Sequence, residues 1–110
     1  MLKFNFGAAI HKVVKMDMSD GVFESGTTEI RVQWKQRIEI LVGELKKAAS
    51  VLRLSYLAEA EDESLVNERL KVLKGEVTRM WKLKKGNYDL TIETEVFWRT
   101  GAPPEKSVIK

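Results

Sequence analysis

The chain has 110 residues, 44% of them hydrophobic and 32% charged, with a formal net charge of +3. These values are typical of one globular domain and exclude a disordered chain. The lack of cysteine excludes disulfides, thiol catalysis and cysteine metal sites, and a single histidine, His11, excludes a multi-histidine zinc site.

The first half of the chain is predicted to form a strand, a turn and a helix. Apolar and polar residues alternate over residues 10–18, as in a strand, and the Ser-Asp-Gly sequence at residues 19–21 favours a turn. A helix is then predicted from about Glu29 to Ala49, with Thr27 or Thr28 as its N-cap. Its apolar residues recur at steps of three and four: Ile30, Trp34, Ile38, Leu41 and Leu45.

The second half repeats this order. Residues 51–56 alternate as in a strand with one covered face, and Asp62 or Ser64 could cap a second helix. That helix is predicted to end at Lys84–Asn87, with Gly86 in the left-handed cap position. Its apolar stripe consists of Val66, Leu70, Leu73, Val77, Met80 and Trp81. Clean alternation from Tyr88 to Trp98 then predicts a last strand with one buried and one wet face.

The predicted architecture is therefore β-α-β-α-β. We expect an α/β fold, an α+β two-layer sandwich in which two helices pack on one face of a small mixed sheet. Residues 1–100 are predicted to be a single domain and residues 101–110 a C-terminal tail, because two prolines deny the tail a central strand. Trp34 and Trp81 lie on apolar stripes and are predicted to pack in the core.

The segment from Ser50 to Val77 resembles the OmpA-like peptidoglycan-associating domain, the C-terminal domain of outer-membrane protein A and its relatives. That family has a strand, a Gly-His-Thr-Asp loop and then Asn-x-x-Leu-Ser-x-x-Arg-Ala on a helix. Laid on this chain without gaps, Asn67 and Leu70 match the Asn and Leu, and Gly75 stands where Ala is usual. The resemblance extends over about residues 23–98 and implies the same fold.

The resemblance also implies a ligand site. In the family, the loop Asp and the helix Arg hold the amine and the carboxylate of a diaminopimelate side chain in peptidoglycan. Here Glu59 and Lys74 stand in their places. Glu59 would then meet an ammonium group, Lys74 would meet a carboxylate, and Asn67 would brace the loop. No catalytic residue, metal or cofactor is implied. The acidic residues from Glu59 to Glu63 could alternatively serve only to stabilise a helix N-terminus.

We therefore expect a non-catalytic module of the bacterial cell envelope, part of a larger polypeptide, that associates with peptidoglycan or with an envelope protein. A cytoplasmic location stays open. No apolar run has membrane-spanning length, and no nucleophile–base pair or metal set favours an enzyme. One alternative is an OmpA-like fold without its ligand, acting as a protein-interaction or homodimerisation domain. An apolar patch around Leu57, Phe97 and Trp98 would support it. Another alternative is a small basic nucleic-acid-binding domain, which the acidic face of the last strand argues against.

Overall fold

The computed structural model describes residues 12–103. It contains strand β1 (Lys12–Ser19), a 3-10 turn (Asp20–Val22), helix α1 (Val32–Leu45), strand β2 (Ser50–Ala58), helix α2 (Glu63–Leu83) and strand β3 (Leu90–Trp98). The predicted β-α-β-α-β order is confirmed. Ile10 and His11, the first two positions of the predicted first strand, lie outside the described residues, as does most of the predicted tail.

The three strands form one sheet in the order β1-β2-β3. Met16 is level with Leu54 of β2, which is level with Thr94 of β3, and both strand pairs are parallel. The α/β class is confirmed. The described sheet is wholly parallel, whereas we predicted a mixed sheet. Each helix carries the chain back to the edge from which the previous strand began, so successive strands run in the same direction.

One face of the sheet is covered by both helices. Alternate residues of the central strand are fully buried: Leu52, Leu54, Tyr56 and Ala58. They share one core with residues of both helices, namely Ile38, Val42, Leu45, Val66, Leu73 and Val77. The stripe predicted for α2 is thus confirmed. In α1 the buried residues Ile38 and Leu45 were predicted and Val42 was not, and the predicted Ile30 lies before the helix. Trp34 and Trp81 also pack against this core, each partly buried, as predicted.

The opposite face of the sheet carries no helix within residues 12–103. Here Leu57 and its register partner Phe97 are exposed, together with the ion pair of Arg53 and Glu93. Trp98 lies on the other side of β3 and packs against the core. The predicted apolar patch therefore keeps Leu57 and Phe97 but loses Trp98, because adjacent strand residues point to opposite faces.

Helix α1 begins later than predicted, and the threonine cap is wrong. Ile30 forms an antiparallel bridge with Phe23, which holds the chain extended before Val32. Arg31 is the N-cap and makes no side-chain capping bond. The Thr27 hydroxyl instead accepts the N–H of Glu29 at 3.0 Å, inside the preceding turn.

Both ends of α2 have identifiable caps. Asp62 accepts the N–H of Leu65 at 2.8 Å, which confirms it as the N-cap. At the other end, Lys85 and not Gly86 takes the left-handed conformation, with φ of 61°. The N–H of Gly86 donates to the Trp81 carbonyl at 2.9 Å, as in a Schellman motif. Gly86 is needed for a different reason, because a Cβ there would overlap the Trp81 indole.

Candidate functional site

The carboxyl ends of the parallel strands meet the loops that follow β1 and β2 at one edge of the sheet. Polar clusters and ligand sites of open α/β sheets commonly lie at this edge. At its centre is Arg69, in the second turn of α2. Its position three residues after Val66 and four before Leu73 places it on the core-facing side of the helix, and it is fully buried.

The chain itself satisfies the Arg69 guanidinium. Nε donates to the carbonyl of Thr27 at 2.7 Å, Nη1 to the hydroxyl of Tyr56 at 2.9 Å, and Nη2 to the carbonyl of Glu24 at 3.3 Å. The ring of Phe23 lies beneath the guanidinium, 4.8 Å from its central carbon. Backbone carbonyls, a phenol and an aromatic face thus surround the cation.

Two carboxylates share this one cation. Asp20 Oδ1 lies 3.5 Å from Arg69 Nη1, and Glu61 Oε2 lies 3.5 Å from Arg69 Nη2. The Asp20 side chain is 22% exposed and that of Glu61 is 25% exposed, so both acids reach from the buried arginine towards solvent. Glu61 also accepts the N–H of Gly26 at 3.4 Å, which joins the loop after β2 to the loop after β1.

Asp20 links the cluster to the end of β2. The Tyr56 hydroxyl donates to Asp20 Oδ1 at 2.7 Å, and the N–H groups of Ala60 and Glu59 donate to Oδ2 at 3.1 and 3.3 Å. Burial raises the pKa of Asp20, but these hydrogen bonds and the charge of Arg69 outweigh it and hold the pKa below its usual value. Burial, and then the bond to Asp20, raises the pKa of Tyr56 far above its usual range.

Both shifts keep the cluster in one protonation state near neutral pH. Asp20 stays ionised and Tyr56 stays protonated, so neither group is ready to exchange a proton with a substrate. The cluster can hold the two loops and α2 together, and its partly exposed acids can attract a cation.

The predicted ligand residues Glu59, Asn67 and Lys74 make no side-chain hydrogen bond or ion pair with one another. The Glu59 carboxylate pairs with Arg99 at 3.1 Å. Asn67 and Lys74 are exposed on α2 and make no hydrogen bond or ion pair with residues 12–103. Lys74 is eleven residues beyond the first residue of α2, about 16 Å along the helix axis. Their assignment to a ligand site stays a prediction.

Arg69 was missed because its neighbours in sequence give no motif. One signal could have found it. The helical period of Val66 and Leu73 places residue 69 on the buried side of α2, and a buried arginine needs anionic and carbonyl partners. The partners Asp20 and Tyr56 lie 49 and 13 residues away in sequence, and no local pattern connects them.

Comparisons of the chain with protein-family models, curated proteins and solved structures found no match. The site must therefore be judged on its own geometry. Between Lys12 and Pro103, no group of three His, Cys, Asp or Glu side chains could hold a metal ion. In the same part of the chain, neither helix is both long and apolar enough to cross a membrane.

A second candidate surface lies on the open face of the sheet. It is a shallow groove of about 490 Å³. Leu57, 40% exposed, and Phe97, 54% exposed, form its apolar floor. Met18 and Ser55, both buried, also line the groove, and its more exposed polar lining is on β1: Lys15, Asp17 and Ser19. An apolar centre with a polar rim is the usual composition of a protein-binding patch.

Proposed function

We propose that this chain is a non-catalytic module of the cell envelope, with an OmpA-like architecture, that contacts a protein partner through the open face of its sheet. In this proposal the Arg69 cluster is a structural lock. The β-α-β-α-β order with both helices on one face supports the architectural part. The envelope location rests on the resemblance in sequence.

The buried arginine adds to that resemblance. When the family pattern Asn-x-x-Leu-Ser-x-x-Arg begins at Asp62 instead of Asn67, two of its four named positions match this chain, and Val66 stands in place of the Ser. Leu65 then falls on the Leu and Arg69 on the Arg. Asp62 takes the place of the Asn, and both residue types are favoured helix N-caps. In this register the arginine of the family pattern corresponds to Arg69, and Lys74 lies outside the pattern.

The observation that carries the proposal is the saturation of Arg69. A ligand carboxylate would have to displace the carbonyls of Glu24 and Thr27 from a guanidinium that has no exposed surface. Each of these bonds is partly buried and joins a carbonyl to a charged group, so its loss would cost about 1.5–3 kcal/mol. The two loops already hold the contacts that a diaminopimelate carboxylate would need, which supports an OmpA-like fold without its ligand.

The open face supplies the alternative contact surface. Leu57 and Phe97 are adjacent on neighbouring strands, so their exposed apolar surfaces are continuous. Charged side chains of both signs, Lys15 and Asp17 on β1, line the same groove. A partner protein that presents a small apolar segment between polar groups would fit this patch.

Peptidoglycan association is the second candidate, and one observation favours it. Asp20 and Glu61 provide two partly exposed carboxylates for one arginine, so the cluster has one negative charge in excess. The ammonium group of a diaminopimelate side chain could approach these acids from solvent without displacing Arg69.

Cosedimentation with purified diaminopimelate-type sacculi separates the two candidates. We expect the 110-residue chain to stay in the supernatant, as should the Glu61→Gln variant and the Glu59→Ala, Lys74→Ala double variant. Binding by the parent chain that is lost in Glu61→Gln, with the circular dichroism spectrum unchanged, would overturn the proposal in favour of the ammonium site.

A photo-crosslinking amino acid tests the partner surface directly. At Phe97, on the open face, it should capture a discrete envelope protein in the native cells. At Lys71, exposed on the helical side, it should not capture the same protein. The Leu57→Ser substitution should remove the crosslink formed at position 97. Equal crosslinking from both positions would count against the open face as the contact surface.

A further inference from the structure

Strands β1 and β3 form the two edges of the described sheet. The outer side of an edge strand presents unpaired N–H and C=O groups, which can pair with another strand. The two edges differ in how they would receive a second copy of the same chain, and the difference lies in their charged residues.

The β1 edge is complementary to itself. Lys15 and Asp17 are both exposed on the open face, and neither makes an ion pair with any residue from 12 to 103. If two β1 strands paired antiparallel about a two-fold axis through Met16, Lys15 of each copy would lie opposite Asp17 of the other. Val14 would lie opposite Met18 on the helix-covered side. The pairing would thus form two opposite-charge cross-strand pairs.

The β3 edge lacks this property. A two-fold axis through Thr94, the central residue of Leu90–Trp98, would place Glu93 of each copy opposite Glu95 of the other. Like charges directly opposite each other destabilise strand pairing. Of the two edges, charge complementarity therefore favours β1.

Helix α1 leaves a suitable surface above the β1 edge. Its residues Trp34, Arg37, Leu41 and Glu44 lie on one side of the helix, at steps of three and four. The ion pair between Lys12 and Glu44, at 3.2 Å, shows that this side faces β1. Trp34 and Leu41 are only partly buried, and Arg37 stacks on the Trp34 ring at 4.6 Å.

The spacing of a joined sheet would cover that surface. Two α1 helices placed symmetrically over paired β1 strands would be separated by two strand spacings, about 10 Å. This is the usual distance between packed helices. The ion pair places Lys12 of β1 level with Glu44 of α1. Four residues along the strand and nine residues along the helix both span about 13 Å. Met16 is therefore level with residue 35 of α1. Trp34 of the two copies would then lie next to the axis.

We propose that two copies of this chain associate through β1 into one six-stranded sheet, with Lys15 of each copy paired with Asp17 of the other. The open faces of the two copies then lie on the same side of the dimer, each with its own Leu57 and Phe97. The proposal does not depend on the partner or on the envelope location. Lys15 and Asp17 also line the groove of the open face, but the dimer rests on the β1 edge and does not use Leu57 or Phe97.

A charge-exchange experiment on the full chain tests the proposal. Sedimentation velocity over a range of concentrations should show a reversible dimer for the parent chain. Lys15→Asp and Asp17→Lys should each weaken dimerisation by at least about tenfold, because each replaces two attractive pairs with two repulsive ones. An equimolar mixture of the two variants should restore a dimer, because each strand then faces residues of opposite charge. The Thr91→Asp control, on the β3 edge, should dimerise like the parent.

The mixture keeps the test independent of folding, since a misfolded variant cannot be rescued by the other. Circular dichroism spectra of all variants should match that of the parent. A chain that stays monomeric at every concentration would overturn the proposal. So would a dimer that neither single variant weakens, or a mixture that stays monomeric.

Discussion

Charged side chains have different environments on the two faces of this sheet, although the same strands form both faces. On the covered face the only fully buried charged side chain among residues 12–103 is Arg69. Hydrogen bonds to backbone carbonyls and to Tyr56 surround it, together with two carboxylates. On the open face Arg53 pairs with Glu93 at 3.2 Å, and both side chains are nearly half exposed.

A charged side chain therefore contributes more to the stability of the fold when it and its partners are more fully separated from water. Solvent stabilises either member of the Arg53 pair when the other is removed, so the pair contributes little. Water can replace Arg69 for its partners only in part, because the guanidinium is fully buried and Asp20 and Glu61 are only 22% and 25% exposed. Three substitutions test this contrast, and a pair of glycine variants extends it to packing.

Removal of the buried cation should have the strongest effect. Arg69→Met keeps most of the side-chain volume but leaves Asp20 and Glu61 without their cation. We expect a loss of about 3–5 kcal/mol in the free energy of unfolding, measured by urea denaturation. The matched control on the open face, Arg53→Met, should change it by less than about 1 kcal/mol. Similar losses in the two variants would show that the Arg69 cluster does not stabilise the fold.

The hydroxyl at the centre of the cluster should matter next. Tyr56→Phe removes the donor to Asp20 and the acceptor for Arg69, and leaves the buried guanidinium and the partly exposed carboxylate each short of a partner. The expected loss of unfolding free energy is about 1–3 kcal/mol. Tyr88→Phe is the control, because Tyr88 is half exposed, and its effect should stay within about 0.5 kcal/mol. An unchanged stability of Tyr56→Phe would mean that Asp20 and Arg69 pair directly once the hydroxyl is gone.

A glycine-to-alanine substitution should have opposite effects on stability in a filled site and in an open one, even where no charge is involved. Gly86→Ala would force the Trp81 indole to move and should cost about 1–3 kcal/mol in thermal or urea unfolding. Gly75 lies inside α2 with nothing within 4 Å of the position of a Cβ. Gly75→Ala should therefore stabilise the chain by up to about 1 kcal/mol. A neutral Gly86→Ala would indicate that the indole has a second packing position.

The contribution of Asp20 to the free energy of unfolding should depend on pH in the acid range. Its folded pKa lies below the unfolded value, which is about 3.9 for aspartate, so ionised Asp20 stabilises the folded state. This contribution is complete above the unfolded pKa and is lost as the pH falls through the folded pKa. The stability difference between the parent chain and Asp20→Asn should thus be constant above about pH 5 and shrink below about pH 4. Glu93→Gln, on the open face, is the control, and a gap that widens in acid would contradict the shift.

Local pattern was sufficient for the elements and their faces. The apolar steps of α2 predicted its buried residues, and strict alternation predicted which side of β3 faces the core. Asp62 was identified as one of two candidate caps from its place before the helix. Each of these features depends on the residue and on neighbours a few positions away, where the periods of helix and strand act.

The start of α1 could not be read in this way. Thr27 and Thr28 are good caps in an isolated sequence, but the bridge between Phe23 and Ile30 holds the chain extended past both of them. A tertiary contact outweighed a capping preference of about 1 kcal/mol. At the end of α2, too, the tertiary structure outweighs a local preference. Packing against Trp81 requires glycine at residue 86, while the hydrogen bonds that close the helix place Lys85 in the left-handed conformation.

The Arg69 cluster is the part of the site that could not be predicted. The chain's own pattern dictates a β-α-β-α-β fold, two amphipathic helices and a strand with one wet face, because these follow from the spacing of apolar residues. Which loop groups converge on Arg69 depends on folding, which joins Asp20, Tyr56 and Glu61 from three separate segments. The partners of a buried charge are the groups that folding brings near it and away from water. A local run of residues encodes neither property.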